Sequence, residues 1–459
     1  MAAERQSHAL KILAAITLLG AVLRTIQLNS DLWLDEVVSL VTYFRLPLRE
    51  AVFAYESPNQ HVLYSALASL SLSWLGESAW AARLPAVILG AASIPAIYWL
   101  ARKLTSPRGA LLAAALLATS YHHIWFSQSA RGYTGMVFCT IVGTALLLEA
   151  MESGWMRWLS YAFVMAMGIG FLQNTIFVLL GHFAAVLVVR RRTSMAQVVG
   201  TLSAVGLGVL IHAGVLGKMI AFWSTEERTG WGSGIGNIEG MVELVGRGLQ
   251  AGFLLPGAIL LVAVAAWAWW NLWCKDRLIA VLFLMPSLFG FIAVVVLHYG
   301  AYPRAFLHVL PFVFVAIVHL LETGTGRLRM GFAAILLICS ALSLGPLYRF
   351  PKQDYSGALA IVRQAALPDE KIVAAGMAGG VYRMFYAPDI EAVRSVDELY
   401  RWEAESPKVW VLYSFTRDMR LRFPDLYDYL QAHYETVSTH RGTLDDGTIY
   451  LVRRKMERR

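Results

Sequence analysis

Residues 84–127 read LPAVILGAASIPAIYWLARKLTSPRGALLAAALLATSYHHIWFS. Two apolar runs flank one short turn, and that turn carries Arg102, Lys103 and Arg108. Each run approaches the roughly 20 residues that a helix needs to cross a bilayer, and a basic turn between two such runs marks the cytoplasmic side. The same pattern continues outward in both directions. Apolar runs at 9–28, 133–150, 157–172, 175–189, 196–216, 251–273, 278–297, 304–321 and 329–348 join those at 84–103 and 109–127 to predict about eleven transmembrane helices. The two near 157–189 are short and meet at Gln173-Asn174. No small-residue cleavage site follows the first run, so it is expected to be retained. Composition agrees, since 57% of the 459 residues are hydrophobic and only 15% are charged, against about 25% charged in soluble chains. A chain this long and apolar cannot hide its surface in one water-soluble core.

Charge divides the chain in two. Residues 350–459 hold 16 Lys+Arg and 16 Asp+Glu, whereas residues 1–349 hold 23 and 15 and carry the whole net charge of +8. The expected fold is therefore an all-α polytopic membrane domain over 1–349, followed by a water-facing α/β domain over 350–459. The basic balance reflects topology, and it gives no reason to expect a nucleic-acid partner. Arg5, Lys11, Arg102, Lys103, Arg108, Arg157, Arg190, Arg191, Arg192, Lys275, Arg277, Arg327 and Arg329 all fall on one side if the N-terminus is cytoplasmic. Acidic residues go to the other side, with Asp31, Asp35, Glu36, Glu50, Glu56 and Glu77 in one external stretch and Glu226, Glu227, Glu239 and Glu243 in another. Eleven spans then place the C-terminal domain outside, in a protein of the inner (cytoplasmic) membrane. Residues 61–75, HVLYSALASLSLSWL, are too short for a span. They are expected to form an amphipathic helix at the outer interface, within a first external loop over 29–83.

In the C-terminal domain, helices are expected at 354–367, 381–387, 396–405 and 423–434, and strands at 371–376 and 408–413. Asp446-Gly447 marks a hairpin between 435–443 and 448–453. The run Gly376-Met377-Ala378-Gly379-Gly380 follows a strand and opens a helix, but it lacks the GxGxxG spacing, so no nucleotide role is assigned. The cysteines Cys139, Cys274 and Cys339 all lie in or beside apolar runs, which leaves no disulfide framework or zinc site.

Four clusters can carry chemistry. Trp33-Leu34-Asp35-Glu36 places two adjacent carboxylates at a membrane surface, which is costly unless they are used or solvated. Helical neighbours point about 100° apart, so one can face a site while the other pairs with a cation; the plain alternative is a helix start capped by Asp35. Ser57-Pro58-Asn59-Gln60-His61 leads into Leu63-Tyr64, and a histidine at an interface is more often a surface residue than a catalytic one. Tyr121 to Tyr133 contains His122-His123, which diverge on a helix and lack an i+4 partner for metal. It also contains Arg131, a basic residue on the outer side whose planar guanidinium suits phosphate; a snorkelling residue is the alternative. His298 to Arg304 adds Tyr302 and a second outer arginine. Loop 224–246, with Glu226, Glu227, Arg228 and Trp231 among glycines, is a candidate gate.

These pieces, in this order, resemble the GT-C superfamily of polyprenyl-phosphate-sugar-dependent glycosyltransferases, nearest to the branch of protein O-mannosyltransferases and the lipid A aminoarabinose transferase. WLDE (33–36) is similar to the family's first-loop acidic motif, and PNQHVLY (58–64) to its proline-rich segment. Leu75-Gly76-Glu77-Ser78 with Ala82-Arg83-Leu84-Pro85 resembles the run into the second span. SQSARGY (127–133) and YPRAF (302–306) with Pro311 resemble the later motifs. The likeness runs from residue 10 to about 350, and the C-terminal domain matches in position and class only. It implies an inverting hexosyl- or pentosyltransferase that uses a lipid-phosphate sugar donor. The acceptor would be a glycolipid, polysaccharide or protein, and membrane lipid would surround the site. Asp35 would take the general-base position with Glu36 as its neighbour. Arg131 and Arg304 would hold the phosphate, with His61, Tyr64, Tyr133 and Tyr302 lining the substrate. Many relatives carry an acidic residue where this chain has Gln128, Ser129 and Gly132, so no cofactor is assigned and participation of a divalent metal ion stays open.

Two other readings compete. A lipid-linked sugar transporter or flippase should show paired repeats with broken helices, and none is evident. A polysaccharide ligase or polymerase should carry its largest external loop late, whereas here the first loop is longest. Topology is directly testable. A cysteine placed at Gly447 should react with an impermeant thiol reagent in intact cells, and one placed at Ser106 should stay protected; the reverse labelling would move every motif to the cytoplasm.

Overall fold

A computed structural model describes residues 2–152, 154–224, 238–296, 303–322, 327–406, 408–443 and 447–455. Among them a helix forms at each of the eleven expected positions, and six helices are long and apolar enough to cross a membrane. The chain divides into two compact units. One contains Met1–Leu28, Leu46–Glu77 and Ala81–Gly345; the other gathers Asn29–Arg45, Ser78–Trp80 and Pro346–Arg459.

The first unit is helical, and small residues set its packing. Helices without a large hydrophobic driving force between them associate where side chains are small enough to let backbones approach. Gly181 in the Thr175–Arg190 helix is so close to Pro286 that an added Cβ would lie 2.5 Å from the proline nitrogen. Gly200 and Gly208 seat the Met195–His212 helix against Trp158 and Ile169 of Trp155–Phe171. The expected span 109–127 is two helices, Pro107–Thr119 and Tyr121–Ser127, because Ser120 adopts extended backbone and caps the second through the His123 amide. The apolar stretch Ile238–Lys275 is 38 residues long and breaks at Leu254, which takes a positive φ of 57° two residues before Pro256. The 255–275 part then measures about 31 Å at 1.5 Å per residue, the thickness of a bilayer core. The segment expected at the interface folds as the 14-residue helix Val62–Leu75; at about 21 Å it is too short to span.

Arg24 is fully buried in this unit. Its guanidinium donates to the carbonyls of Gly20, Leu117 and Ala118 and to Ser127 Oγ, and it meets His123 Nδ1 at 2.7 Å. Carbonyls at helix C-termini are a favourable environment for a cation. Arg24 therefore ties the Ala2–Thr25 helix to the break between the helices Pro107–Thr119 and Tyr121–Ser127.

The second unit is built on a five-stranded sheet of β1 (Lys371–Ala375), β2 (Glu391–Val393), β3 (Val409–Tyr413), β4 (Tyr434–His440) and β5 (Ile449–Arg454), in the order β2-β1-β3-β5-β4. β1 pairs parallel with β2 and β3, while β5 pairs antiparallel with β3 and β4. The continuous apolar run of β3 is explained by its central place, and all five of its residues are buried. Helices Tyr355–Ala365, Val396–Glu405 and Pro424–His433 lie where the sequence predicts them. The helix expected at 381–387 starts earlier, as Gly376–Val381, and continues as a wider π turn to Tyr386. β2 and the helix Thr416–Arg422 were not anticipated, being too short to show periodicity. Gly376 needs its positive φ of 61°, and a Cβ there would meet Met419 Sδ at 2.3 Å, so packing accounts for that glycine. Asp446 of the hairpin signal and the candidate gate residues Glu226, Glu227, Arg228 and Trp231 lie outside the described residues.

Candidate active site

Within the first unit, the turn before the Val62–Leu75 helix is built by short polar side chains. Gln60 Nε2 donates to the carbonyls of Ala51 and Ala54, both at 2.8 Å, and Gln60 Oε1 accepts from Ser65 Oγ. This fixes His61 at the N-cap position, 7% exposed. Arg131, 70 residues later and 5% exposed, donates from Nη1 to the Asn59 carbonyl at 3.0 Å and lies with Nη2 3.1 Å from His61 Nε2. The amide of Gly132 donates to His61 Nδ1 at 2.8 Å. Any larger residue would break this approach, because a Cβ on Gly132 would lie 2.0 Å from the Phe171 carbonyl oxygen and 3.0 Å from His61 Nδ1. Tyr133 stands edge-on to the His61 ring, with centroids 5.7 Å apart.

The consequence is chemical. A neutral imidazole has one donor and one acceptor nitrogen. Since Nδ1 accepts from the Gly132 amide, the ring proton sits on Nε2, where it faces the Arg131 guanidinium, also a donor. Two donors at that separation are a ready-made receptor for an anionic oxygen, which can accept from both. His61 is held neutral as well. Its pKa is pushed well below 6.5, first by burial and then by the charges of Arg131, Arg304 and His212.

Arg304 sits in the short turn Pro303–Phe306, partly exposed, and completes the positive charge around His61. Tyr302 lies outside the described residues. Tyr64 is fully buried, and its hydroxyl donates to the Ala82 carbonyl at 2.9 Å, so it braces the helix below His61. Sequence reasoning missed His212, whose Nδ1 meets the Gly208 carbonyl at 2.9 Å, and it also missed Asn59 and Gly132 as partners. It missed Arg24 too, and it gave no role to Arg83 of the motif before the second span; both are buried, the latter donating to the Leu28 carbonyl at 2.8 Å. Their signal is that of Arg131, a basic residue at the end of an apolar run that the charge pattern of the turns leads one to expect on the outer side.

The acidic motif belongs to the second unit. Trp33, rather than Asp35, is the N-cap of the helix Leu34–Ser39. Glu36 is 1% exposed, accepts the Trp33 amide on Oε2 at 2.9 Å, and lies 4.0 Å from Lys352 Nζ. Asp35 is partly exposed. Glu36 is thus buried beside a cation, and Asp35 is the more exposed of the two carboxylates. Among the described residues no group of three His, Cys, Asp or Glu side chains could hold a metal ion.

Selective ¹⁵N labelling of histidine should find His61 as the Nε2–H tautomer at neutral pH and still neutral below pH 6.5. Because the folded pKa is lowered, the share of stability held by the neutral ring is complete above 6.5 and is lost as pH falls below it. An imidazolium signal for His61 at pH 6 would remove this arrangement.

Residues 59–217 match the family model described as dolichyl-phosphate-mannose-protein mannosyltransferase. That stretch contains His61, Arg131 and Gly132. No curated protein matches the chain by sequence. The structure is similar to ArnT from Cupriavidus metallidurans bound to undecaprenyl phosphate, with a TM-score of 0.55 at 12% identity over 97% of this chain and 98% of that one. It is also similar to the oligosaccharyltransferase AglB from Archaeoglobus fulgidus in complex with an inhibitory peptide and a dolichol-phosphate, with a TM-score of 0.55 at 11% identity over 97% of this chain and 74% of that one. The chain therefore resembles the GT-C membrane glycosyltransferases both in the family match at residues 59–217 and in a fold shared along nearly its whole length.

Proposed function

We propose that this multi-pass membrane protein is an inverting glycosyltransferase that moves a sugar from a polyprenyl-phosphate-linked donor to an acceptor hydroxyl on the extracytoplasmic side. The observation that carries the reading is the pair of converging donors on Arg131 and His61, inside the segment that matches a family of lipid-phosphate-sugar enzymes. The solved relatives bound to undecaprenyl phosphate and to dolichol-phosphate supply the ligand class. In this reading residues 1–349 are the catalytic domain of an inner-membrane protein with a cytoplasmic N-terminus, and residues 350–459 form an external domain. The acceptor is a hydroxyl of a glycolipid, a polysaccharide or a protein, and the sugar is a hexose or pentose.

The chemistry needs little beyond positioning and charge. The acceptor oxygen attacks the anomeric carbon from the face opposite the phosphate and inverts it. The bond to the phosphate oxygen breaks, and its electron pair leaves with the polyprenyl phosphate. Arg131, Arg304 and the Nε2–H of His61 hold that developing charge. Asp35 takes the proton from the acceptor hydroxyl, and Glu36 stays with its cation. In this reading Tyr133 and Tyr302 line the donor, and Tyr64 braces the helix that begins after His61.

Asp35→Asn decides between the base and a structural residue. It keeps size and hydrogen-bonding capacity but cannot accept the proton, so turnover should fall by about 100-fold or more while the lipid donor still binds. Full activity in the folded variant would remove Asp35 from the mechanism, and a large loss for Glu36→Gln with little for Asp35→Asn would exchange their roles. For the phosphate, Arg304→Ala should weaken donor binding by about 1.5–3 kcal/mol. Arg304→Lys should recover part of that, since a point charge replaces a fork. Unchanged donor affinity and turnover in Arg304→Ala would place the phosphate elsewhere.

A further inference from the structure

Within the second unit, the acidic motif is gripped by one short segment of the C-terminal region. Gln353 Oε1 accepts the Leu34 amide at 3.1 Å and the Tyr355 hydroxyl at 3.0 Å. Lys352, 5% exposed, brings Nζ to 4.0 Å from Glu36 Oε2. Asp31 accepts the Ser356 amide at 2.7 Å and its hydroxyl at 2.9 Å. Two further residues hold the same stretch from other elements. The Tyr386 hydroxyl lies 2.8 Å from the Leu32 amide and 3.3 Å from the Leu32 carbonyl, and Phe415 meets Trp33 edge-on at 5.6 Å.

Two adjacent carboxylates in one helical turn raise each other's affinity for protons unless one is neutralised. A buried carboxylate that loses its cation is strongly destabilised. Lys352 meets both requirements at Glu36, and Gln353 fixes the first amide of the helix that aims Asp35. We infer that Lys352 and Gln353 are positioning residues of the glycosyl-transfer site, and that supplying them is a function of the C-terminal domain. Lys352 commits Glu36 to an ion pair, so that proton acceptance falls to Asp35, and Gln353 sets the helix start. This inference rests on the proposed reading of Asp35 as the base. The proton it receives comes from the acceptor hydroxyl and returns to water after the product leaves, so no other reactant is required.

The test uses the full chain in lipid nanodiscs, with ¹³C at the side-chain carboxyls of aspartate and glutamate. The Asp35 and Glu36 signals are assigned by Asp35→Asn and Glu36→Gln. Lys352→Met should raise the upper titration midpoint of the pair by about 1 unit or more, the usual effect of losing a nearby opposite charge. Lys352→Arg should keep the midpoints near those of the parent. The double variant Glu36→Gln/Lys352→Met should bring the Asp35 midpoint back, because the neighbouring negative charge is gone; it also serves if Lys352→Met alone does not fold. Gln353→Leu should lower turnover of a mannosyl-phosphoryl-undecaprenol donor with little change in its KM. Midpoints that ignore Lys352→Met and Lys352→Arg alike would overturn the inference and leave the base untouched. Full turnover in Asp35→Asn would instead sink the base while the coupling in the spectra persisted.

Discussion

The 2.8 Å hydrogen bond from the Gly132 amide to His61 Nδ1 is the constraint on which the candidate site depends. A backbone amide at a helix start has a fixed direction, and a neutral imidazole has only one proton to place. Once Nδ1 is committed as acceptor, Nε2 must be a donor, and its nearest neighbour is a guanidinium. The arrangement is thus polarised before any ligand arrives. Burial reinforces it, since a protonated ring would be a third cation in a site that already holds two arginines. The small residue at 132 is what lets the amide come close enough, and Phe171 is what makes that choice irreplaceable.

Much of this was legible in the sequence, and the parts that were not have a common reason. Apolar runs and basic turns identified the helices because the bilayer imposes a length and a charge asymmetry that leave periodic traces. β3 was legible for the same reason, an unbroken apolar run that only a central strand can bury. Arg131 was singled out on chemistry, as a cation on the expected outer side, whereas His61 entered through the likeness of PNQHVLY to a family motif. Their contact across 70 residues was beyond reach, because side-chain pairing at long separation has no period. The partnership of Leu34 with Gln353 was hidden in the same way, at a separation of 319. The break at Leu254 could be suspected from Pro256, but its depth depends on packing.

The division into two units cuts across the order of the chain. Asn29–Arg45 lies in an early loop by sequence and belongs with the C-terminal sheet by structure. A charge count alone assigns that stretch to the membrane domain, because its acidic residues sit between two apolar runs. Its internal anchors say otherwise. The Asp31, Leu32, Leu34 and Glu36 backbone and side-chain groups each find a partner after residue 351.

That connectivity has a consequence for the order in which the molecule is made. The residues that grip Leu34 and Glu36 are synthesised some 319 positions later, which at common elongation rates is roughly 15–65 s. Until then the acidic segment has emerged without the elements that bury Glu36 and fix its helix, while the early membrane helices can already be inserted and packing. A ribosome-stalled or prematurely terminated chain would therefore carry the contact between His61 and Arg131 without a formed carboxylate motif. Assembly of the second unit acts as a final ratification step, completed only when the last tenth of the protein, including the β4–β5 pairing, has been synthesised.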